Sequence, residues 1–225
     1  MTGKEQLMKS SMAAGLLIAL AASVFLGCDN KYIGAFLFSL GLLSIMNFQL
    51  KLFTGCTGYL ADAQFLNRDY RKDAPWIGAF QVISYKERSR DLLLILIGNF
   101  AGAAIFSTLI GFTVPELKQK AILIMQHKEE AAWYTMLFRA FCCGMLMQLA
   151  FYTKTKIGNV PITYLMAIMC IMSFILAGFE HCIADIAYAF FAWSWTWKTT
   201  LLLVLSVIGN FFGGDHLFRQ LDWRI

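Results

Sequence analysis

The sequence predicts an all-α integral membrane protein in which six transmembrane helices form a 3+3 inverted repeat, with the second and fifth helices broken at mid-membrane. The first observation is composition: 59% of the 225 residues are hydrophobic and 15% are charged, whereas soluble domains carry about 25% charge. The second is a set of six apolar runs, each near the roughly 20 residues that span a bilayer. The third is that polar or glycine-containing stretches interrupt two of these runs.

Taken in order, the runs divide the chain into six spans and two polar connectors. The spans are predicted near 9–27, from 32 to about 66, at 92–112, at 131–152, from 160 to about 193, and from about 199 to 217. The second span is interrupted at 52–58 and the fifth at 178–185, and the connectors occupy 67–91 and 113–130. The first span resembles a signal peptide, but no clear small-x-small cleavage site ends it, so we expect a retained span.

The placement of lysine and arginine predicts the orientation, because cytoplasmic loops are enriched in these residues. One side, which includes both termini, holds Lys4, Lys9, Arg68, Arg71, Lys72, Lys86, Arg88, Arg90, Lys154, Lys156, Arg219 and Arg224. The other side holds Lys31, Lys118, Lys120, Lys128 and Lys198. We therefore expect a multi-pass protein of the cytoplasmic (inner) membrane with both termini in the cytoplasm.

Composition also argues against several classes of protein. The basic side chains are interleaved with acidic and aromatic ones, so no nucleic-acid partner is expected. The six cysteines lie mostly within apolar runs, and there are three histidines. Because no CxxC pair occurs, neither a metal nor another cofactor is expected. We interpret the cysteines as small packing residues.

Three pairs of motifs recur in the same order in the two halves of the chain. Gly-Asn-Phe-Ala-Gly at 98–102 is matched by Gly-Asn-Phe-Phe-Gly at 209–213, and the small-residue stretch at 13–21 resembles 142–150. The two interrupted spans form the third pair. Three spans repeated as three spans place the halves in opposite orientations. We predict one transmembrane domain, 1–225, with repeat A at about 9–113 and repeat B at about 130–219.

The two interruptions contain the candidate site. A break at mid-membrane frees backbone N–H and C=O groups, and two facing breaks make a small site that suits an anion. Thr54 supplies a hydroxyl from one break, and His181 supplies from the other a side chain that ordinarily titrates near neutrality. The alternatives are a histidine that only packs, satisfied by Glu180 or a carbonyl, and a threonine that bonds within its own helix.

Five motifs, in order and across nearly the whole chain, resemble those of the formate/nitrite transporter family. They are FLFSLGL at 36–42, LFTG at 52–55, GN at 98–99, GFEH at 178–181 and GNxxGG at 209–214. The resemblance implies a homopentamer of aquaporin-like six-span protomers, with one pore in each protomer. It also implies small monovalent anions as substrates, namely formate, nitrite, hydrosulfide or lactate.

The resemblance implies roles for individual polar residues. Thr54 and His181 match the family's pore threonine and central histidine. Lys128, sixteen residues before Gly144, matches a vestibule lysine that attracts anions. The alternative for Lys128 is a solvated loop charge.

The resemblance also implies two hydrophobic constrictions. Phe38 and Phe174 resemble one of them, and Leu42, Leu52 and Phe53 resemble the other. Such constrictions exclude hydrated cations and gate conduction by dewetting. The alternative for Phe38 and Phe174 is ordinary helix packing.

Three positions depart from the family pattern. Lys51 replaces a usually acidic residue, and its charge is expected at the pore mouth, paired with Glu180 or Asp185, or snorkelling to the interface. Gly144 replaces an asparagine beside the pore and is expected to widen or weaken that polar site. Asp185 replaces another asparagine. Glu180, Asp185 and Lys51 are expected to support the helix breaks.

The expected function is a channel or transporter that passes formate or nitrite across the cytoplasmic membrane, with protonation assisted by the central histidine. The anion, the proton and membrane lipid are the expected partners. A hydrosulfide or lactate channel of the same family is the alternative. A membrane enzyme that uses His181 with Cys182 or Glu180 is more distant, because no orienting group accompanies them, and no enzymatic activity is expected. A water pore is a further alternative, but its paired Asn-Pro-Ala motifs are absent from the sequence.

Overall fold

The structure is a computed structural model that describes residues 3–60 and 85–222. Within these ranges the chain forms eight α-helices and two short 3-10 turns, with no strand. The helices are α1 (Gly3–Gly27), α2 (Lys31–Asn47), α3 (Tyr85–Thr113), α4 (Pro115–Glu129), α5 (Trp133–Ile157), α6 (Val160–Ala177), α7 (Cys182–Ala192) and α8 (Trp197–Asp222). The 3-10 turns are Phe53–Gly55 and Thr57–Tyr59.

Five of these helices, α1, α3, α5, α6 and α8, are long and apolar enough to cross a membrane. The other two apolar helices are shorter, with 17 residues in α2 and 11 in α7. The first break follows α2, and the second separates α6 from α7. The predicted architecture, six spans with the second and fifth broken, is confirmed, although the end of the second span, at 61–66, lies outside the described residues.

Two helices occupy segments that the sequence predicts as connectors. Helix α3 begins at Tyr85, so its first turns precede the predicted start at 92; residues 67–84 of that connector lie outside the described residues. Helix α4 fills most of the predicted connector 113–130. Pro115 begins α4, where its missing N–H needs no helical partner. Helix α3 extends in front of the apolar stretch from which the third span was predicted, and α4 is a separate helix within the second predicted connector.

The inverted repeat is visible in matched helix contacts. Helix α1 packs along α3, and α5 packs along α8 in the same way. A Cβ atom at Gly102 would lie 1.9 Å from the carbonyl oxygen of Met12, and one at Gly213 would lie 2.0 Å from that of Phe141. Only glycine permits backbones to approach this closely. The glycine motifs at 98–102 and 209–213 are therefore packing elements, equivalent in the two halves.

Asn99 holds the backbone of the first break. Its side-chain oxygen accepts the N–H of Phe53 at 2.7 Å. Its amide nitrogen donates to the carbonyl oxygens of Ser11 and Lys51, both at 2.8 Å. One buried side chain thus joins α1, α3 and the break, and satisfies the two backbone groups of the break, the Phe53 N–H and the Lys51 carbonyl, that lack a helical partner.

Asn210 holds the second break by the same three contacts. It accepts the N–H of Cys182 at 2.8 Å and donates to the carbonyl oxygens of Ala140 at 2.7 Å and Glu180 at 2.8 Å. The two asparagines occupy equivalent places in the motifs at 98–102 and 209–213. The repeat therefore includes the hydrogen bonds that fix the breaks as well as the packing of the spans.

Polarity is distributed as a bilayer requires, with polar side chains buried inside and apolar side chains outside. Fully buried polar side chains include Ser11, Asn99, Ser107, Gln148, Ser206 and Asn210. Large exposed apolar side chains include Phe36, Leu109, Phe138, Leu165 and Phe212. The chain is a multi-pass membrane protein.

Replacement of Gly213 by alanine is expected to push α8 away from α5, because the new Cβ would lie 2.0 Å from the Phe141 carbonyl oxygen. Overpacking of this kind costs about 1–3 kcal/mol of the free energy of unfolding. Thermal unfolding in detergent, followed by circular dichroism, measures the loss. Gly27→Ala is the control, since the nearest atom to a Cβ there is 3.9 Å away. Equal loss in both variants would contradict the packing role.

Replacement of Asn210 by leucine is expected to lower the free energy of unfolding by at least about 2 kcal/mol, because two backbone groups of the second break, the Cys182 N–H and the Glu180 carbonyl, lose their partner and each costs about 1–3 kcal/mol when buried unsatisfied. Asn159→Leu is the matched control: Asn159 is exposed and accepts one backbone N–H, from Ile162 at 3.1 Å. Loss of that helix cap costs about 1 kcal/mol. The same unfolding measurement compares the two, and similar losses would refute the role of Asn210.

Candidate functional site

The two breaks bring Thr54 and His181 together. Thr54 Oγ1 lies 3.1 Å from His181 Nε2, across 127 residues of sequence. Thr54 is fully buried and His181 is 1% exposed. The pair predicted from two separate motifs is therefore in direct contact.

The surroundings of His181 define its tautomer. His181 is the N-cap of α7, and its Nδ1 accepts the backbone N–H of Ala184 at 3.2 Å. A nitrogen that accepts a hydrogen bond carries no proton, so the neutral ring has its proton on Nε2. Nε2–H is then the donor toward Thr54 Oγ1. An anion that displaced Thr54 would meet the same N–H.

Two phenylalanines cover this pair. Phe174 of α6 stacks on the His181 ring, with centroids 5.4 Å apart and planes 22° apart. Phe38 of α2 meets Phe174 edge to face, with centroids 5.9 Å apart. Both phenylalanines are buried. The two predicted constriction residues are therefore in contact, one from each half of the chain, directly beside the imidazole.

The three residues predicted for the other constriction are buried as well. Leu42 and Leu52 are fully buried, and Phe53 is 4% exposed. Leu52 and Phe53 immediately precede Thr54, and the N–H of Phe53 is bound by Asn99. Their place in the first break is thus held by the same hydrogen bonds that position Thr54.

Lys128 pairs with two buried carboxylates. Its Nζ contacts Glu180 Oε2 and lies 2.9 Å from Asp185 Oδ1. Glu180 is fully buried and Asp185 is 1% exposed. Asp185 Oδ2 also accepts the hydroxyl of Ser206 at 2.9 Å. Helix α4 is docked against the second break by this cluster, which we call the Lys128 cluster and define as Lys128, Glu180 and Asp185.

The cluster determines the charge of Lys128. Burial alone would lower the pKa of Lys128, but the carboxylates of Asp185 and Glu180 outweigh burial, and the pKa is raised above its ordinary value. Lys128 is therefore a permanent ammonium, neither a solvated loop charge nor an unpaired one. With both carboxylates ionised, the cluster itself has no positive charge to spare for an anion.

Lys51 departs from one of its expected roles. Its side chain is 4% exposed, so it does not snorkel to the interface. Glu180 and Asp185, the two carboxylates named as possible partners of Lys51, both contact Lys128. The backbone of Lys51 supports the first break, since its N–H donates to Ser10 Oγ at 3.1 Å and its carbonyl oxygen binds Asn99.

Gly144 also differs from its expected role. A Cβ atom at Gly144 would lie 2.3 Å from the carbonyl oxygen of Asn210. The position faces the backbone of α8 at the α5–α8 contact, so the missing side chain permits close packing. A polar pore site widened by this glycine was expected, and the structure places a helix contact there, because the direction of the Cα–Cβ bond depends on how α5 is rotated.

A cavity of about 470 Å³ reaches the histidine from one end of the molecule. Phe174 and His181 form its inner wall, and Lys31 and Phe25 belong to its lining. The lining also includes Lys128 and Arg139. The cavity is thus a basic vestibule that ends at Phe174 and His181, and Phe38 contacts Phe174. Within residues 3–60 and 85–222, no three His, Cys, Asp or Glu side chains are grouped closely enough to hold a metal ion.

Sequence reasoning missed three functional or supporting groups. Asn99 and Asn210 lie in motifs that the sequence presents as small-residue packing. Arg139 is the sole charged residue of the predicted span 131–152, and an ionisable group inside a span is the signal that identifies it.

Comparisons with known proteins agree with this architecture. The family model described as "Formate/nitrite transporter" matches residues 2–223. YrhG of Bacillus subtilis (strain 168), an uncharacterized transporter, is 29% identical over 198 residues, which cover 84% of this chain and 69% of YrhG. The formate channel FocA of Haemophilus influenzae is 25% identical over 192 residues, which cover 78% of this chain and 62% of FocA.

Two solved structures share the fold. A pentameric formate channel with formate bound superposes with a TM-score of 0.77 at 20% identity, over 98% of this chain and 96% of that chain. An ion channel of the FNT family superposes with a TM-score of 0.81 at 17% identity, over 99% of this chain and 91% of that chain. With a family match along almost its full length and the predicted breaks in place, the chain belongs to the formate/nitrite transporter family.

Proposed function

We propose that this protein passes small monovalent anions, formate or nitrite foremost, across the cytoplasmic membrane, with protonation assisted by His181. The observation that carries the proposal is the contact between Thr54 and His181, made by two helix breaks at the inner end of a basic vestibule. The formate channel relative adds support for formate. Hydrosulfide and lactate, the other anions expected for the family, are the alternative substrates.

The route follows the order of the side chains. The anion enters the vestibule, meets the apolar contact of Phe38 and Phe174, and reaches the hydrogen-bonding pair of Thr54 and His181. Leu42, Leu52 and Phe53 then form the second apolar barrier. Between two apolar barriers a bare anion is costly, because desolvating an isolated charge costs far more than desolvating a neutral molecule. Neutralisation of the anion lowers that cost.

His181 supplies the proton through its Nε2. The neutral ring donates the Nε2–H hydrogen bond to the anion but has no proton to spare. The proton taken from the vestibule binds Nδ1, and the imidazolium then gives its Nε2 proton to the anion. The neutral ring that remains carries its proton on Nδ1, and a proton exchange with the vestibule restores the Nε2–H tautomer. The imidazolium must break the hydrogen bond from the Ala184 N–H to Nδ1, so the charged ring is short-lived. One proton therefore accompanies each anion.

Assembly, orientation and domain extent complete the proposal. The solved pentameric formate channel of the same fold supports a homopentamer with one pore in each protomer. In this assembly the outer surfaces of each protomer contact lipid and the neighbouring protomers. The lysine and arginine distribution supports cytoplasmic termini in the inner membrane, with the vestibule on the opposite side, and residues 1–225 as one transmembrane domain. Family membership supports transport and gives no support to an enzyme built on His181 and Cys182.

Formate flux into liposomes is expected to rise as the external pH falls. The flux should be proportional to the external proton concentration, because one proton accompanies each anion. His181→Asn keeps a side-chain N–H donor but cannot titrate. Loss of a general acid costs about 100-fold or more, so the variant should lose most flux at neutral pH and its pH dependence. His216→Asn, at an exposed position on α8, is the control. If His181→Asn keeps the pH profile of the unsubstituted protein, the role of His181 is contradicted. If formate, nitrite, hydrosulfide and lactate all fail to move faster than in empty liposomes, the proposed function is contradicted.

Thr54→Val is expected to reduce formate flux about fivefold, because one hydrogen bond of roughly 1 kcal/mol is removed from the pair. The shape of the pH profile should be kept, since His181 still titrates. Thr153→Val is the matched control: Thr153 is also buried, but its hydroxyl donates to Leu149 of its own helix at 2.8 Å. Equal effects on flux in the two variants would show that Thr54 acts through stability alone.

A further inference from the structure

We propose that Arg139, assisted by Lys31, forms an anion-binding site in the vestibule that takes a planar two-oxygen monoanion, such as a small carboxylate, before it reaches the Phe38–Phe174 barrier. This inference rests on the proposed function, which it extends by a binding residue and by a class of ligand. Three observations support it. Lys128 is paired with two carboxylates, Arg139 has no hydrogen-bond acceptor among the described residues, and Lys31 lies at the wall of the same cavity.

Lys128 is already occupied. Its ammonium lies against Glu180 and is 2.9 Å from Asp185. Its side chain is 15% exposed, so it presents little surface to the vestibule. Two carboxylates against one ammonium repel a third negative group. The cation that recruits an anion must therefore be a different one.

Arg139 meets that requirement. It lies on α5 and lines the vestibule together with Phe174 and His181. Among residues 3–60 and 85–222, its guanidinium has no hydrogen-bond acceptor and no carboxylate within ion-pair distance, and its charge acts on Glu180 from beyond that distance. Its five N–H donors are thus available to a ligand in the cavity, at a depth where an ionisable residue is costly unless it has a use.

Lys31 extends the site toward the vestibule opening. Its Nζ donates to the carbonyl oxygen of Leu176 at 3.3 Å. A neutral carbonyl leaves the positive charge uncompensated while it holds the ammonium at the cavity wall. His127, the remaining basic side chain of the lining, is directed to Glu130 at 3.7 Å.

The charges that face the cavity favour an anion there. Lys31, Lys128 and Arg139 are opposed by Glu180 and Asp185, which leaves one positive charge in excess. The positive charge lies at Arg139 and Lys31, because the two carboxylates contact Lys128. A basic vestibule raises the local concentration of anions.

The geometry of the guanidinium indicates the class of ligand. Two parallel N–H groups match the two oxygens of a carboxylate and bind them together. Formate, lactate and nitrite all present two oxygens on one atom, whereas hydrosulfide and chloride present a single acceptor. Arg139 is therefore expected to select by shape as well as by charge.

The transport test compares Arg139→Met with Arg139→Lys in liposomes. Loss of a charge-assisted pair of hydrogen bonds is expected to raise the half-saturating formate concentration about tenfold, to leave the maximal flux nearly unchanged, and to weaken the dependence on ionic strength. Arg139→Lys should retain the ionic-strength dependence but lose the preference for formate over chloride. Lys118→Met, which removes a charge from α4 outside the vestibule lining, should match the unsubstituted protein. A formate saturation curve unchanged in Arg139→Met would overturn the proposal.

A second measurement does not depend on transport or on the folding of variants. Phenylglyoxal modifies accessible guanidinium groups of the unsubstituted protein in lipid nanodiscs, and peptide mass spectrometry quantifies each arginine. Formate and nitrite are expected to protect Arg139, and chloride or hydrosulfide at equal ionic strength to protect it much less. Arg219, whose guanidinium binds Asp215 at 2.8 Å, should be unaffected by formate.

The outcomes separate the two proposals. Equal modification of Arg139 with and without formate overturns the binding site, and equal protection by chloride overturns the two-oxygen class. Protection of Arg139 in a protein that moves none of the anions supports the site and refutes the proposed transport. Flux without protection supports transport and refutes the site.

Discussion

Three hydrogen bonds from one asparagine, made twice, hold the centre of this protein. In a bilayer a helix cannot be interrupted unless its freed backbone groups find partners in the protein. Asn99 and Asn210 supply those partners at the two breaks, each joining two long spans to the interrupted one. The position of Thr54 relative to His181 depends on both asparagines, because each residue belongs to a different break.

The two buried or half-buried cations of the cavity, Lys128 and Arg139, have different tasks. The Lys128 cluster docks α4 on the second break, and removal of one partner would leave a buried charge uncompensated, which is strongly destabilising. Its two carboxylates occupy Lys128. Arg139 lies in the same cavity without such a partner among the described residues, so the two cations divide two tasks: Lys128 stabilises the fold and Arg139 faces the ligand.

Positions that depart from the family pattern acquire physical meaning from their neighbours. Asp185 adds a second carboxylate to Lys128, which increases the negative charge beside His181 and makes an independent recruiting cation more valuable. Gly144 permits α5 and α8 to approach at Asn210, and Lys51 contributes its backbone to the first break. Each of these consequences depends on which residue or helix lies next to the position in the folded protein.

The sequence by itself determined the membrane class, the six spans, the inverted repeat and the pairing of Thr54 with His181, because apolar run length and repeated motifs are local properties of the chain. Only the tertiary structure decided that Lys128 meets Glu180 and Asp185, that Gly144 faces α8, that α4 is a helix docked on the second break, and that Arg139 lines the vestibule. The physical reason is that these contacts join different elements of the fold, as when Lys128 on α4 meets Glu180, 52 positions later. Such contacts depend on the rotation of each helix about its axis, which hydrophobic patterning constrains weakly where nearly every face is apolar.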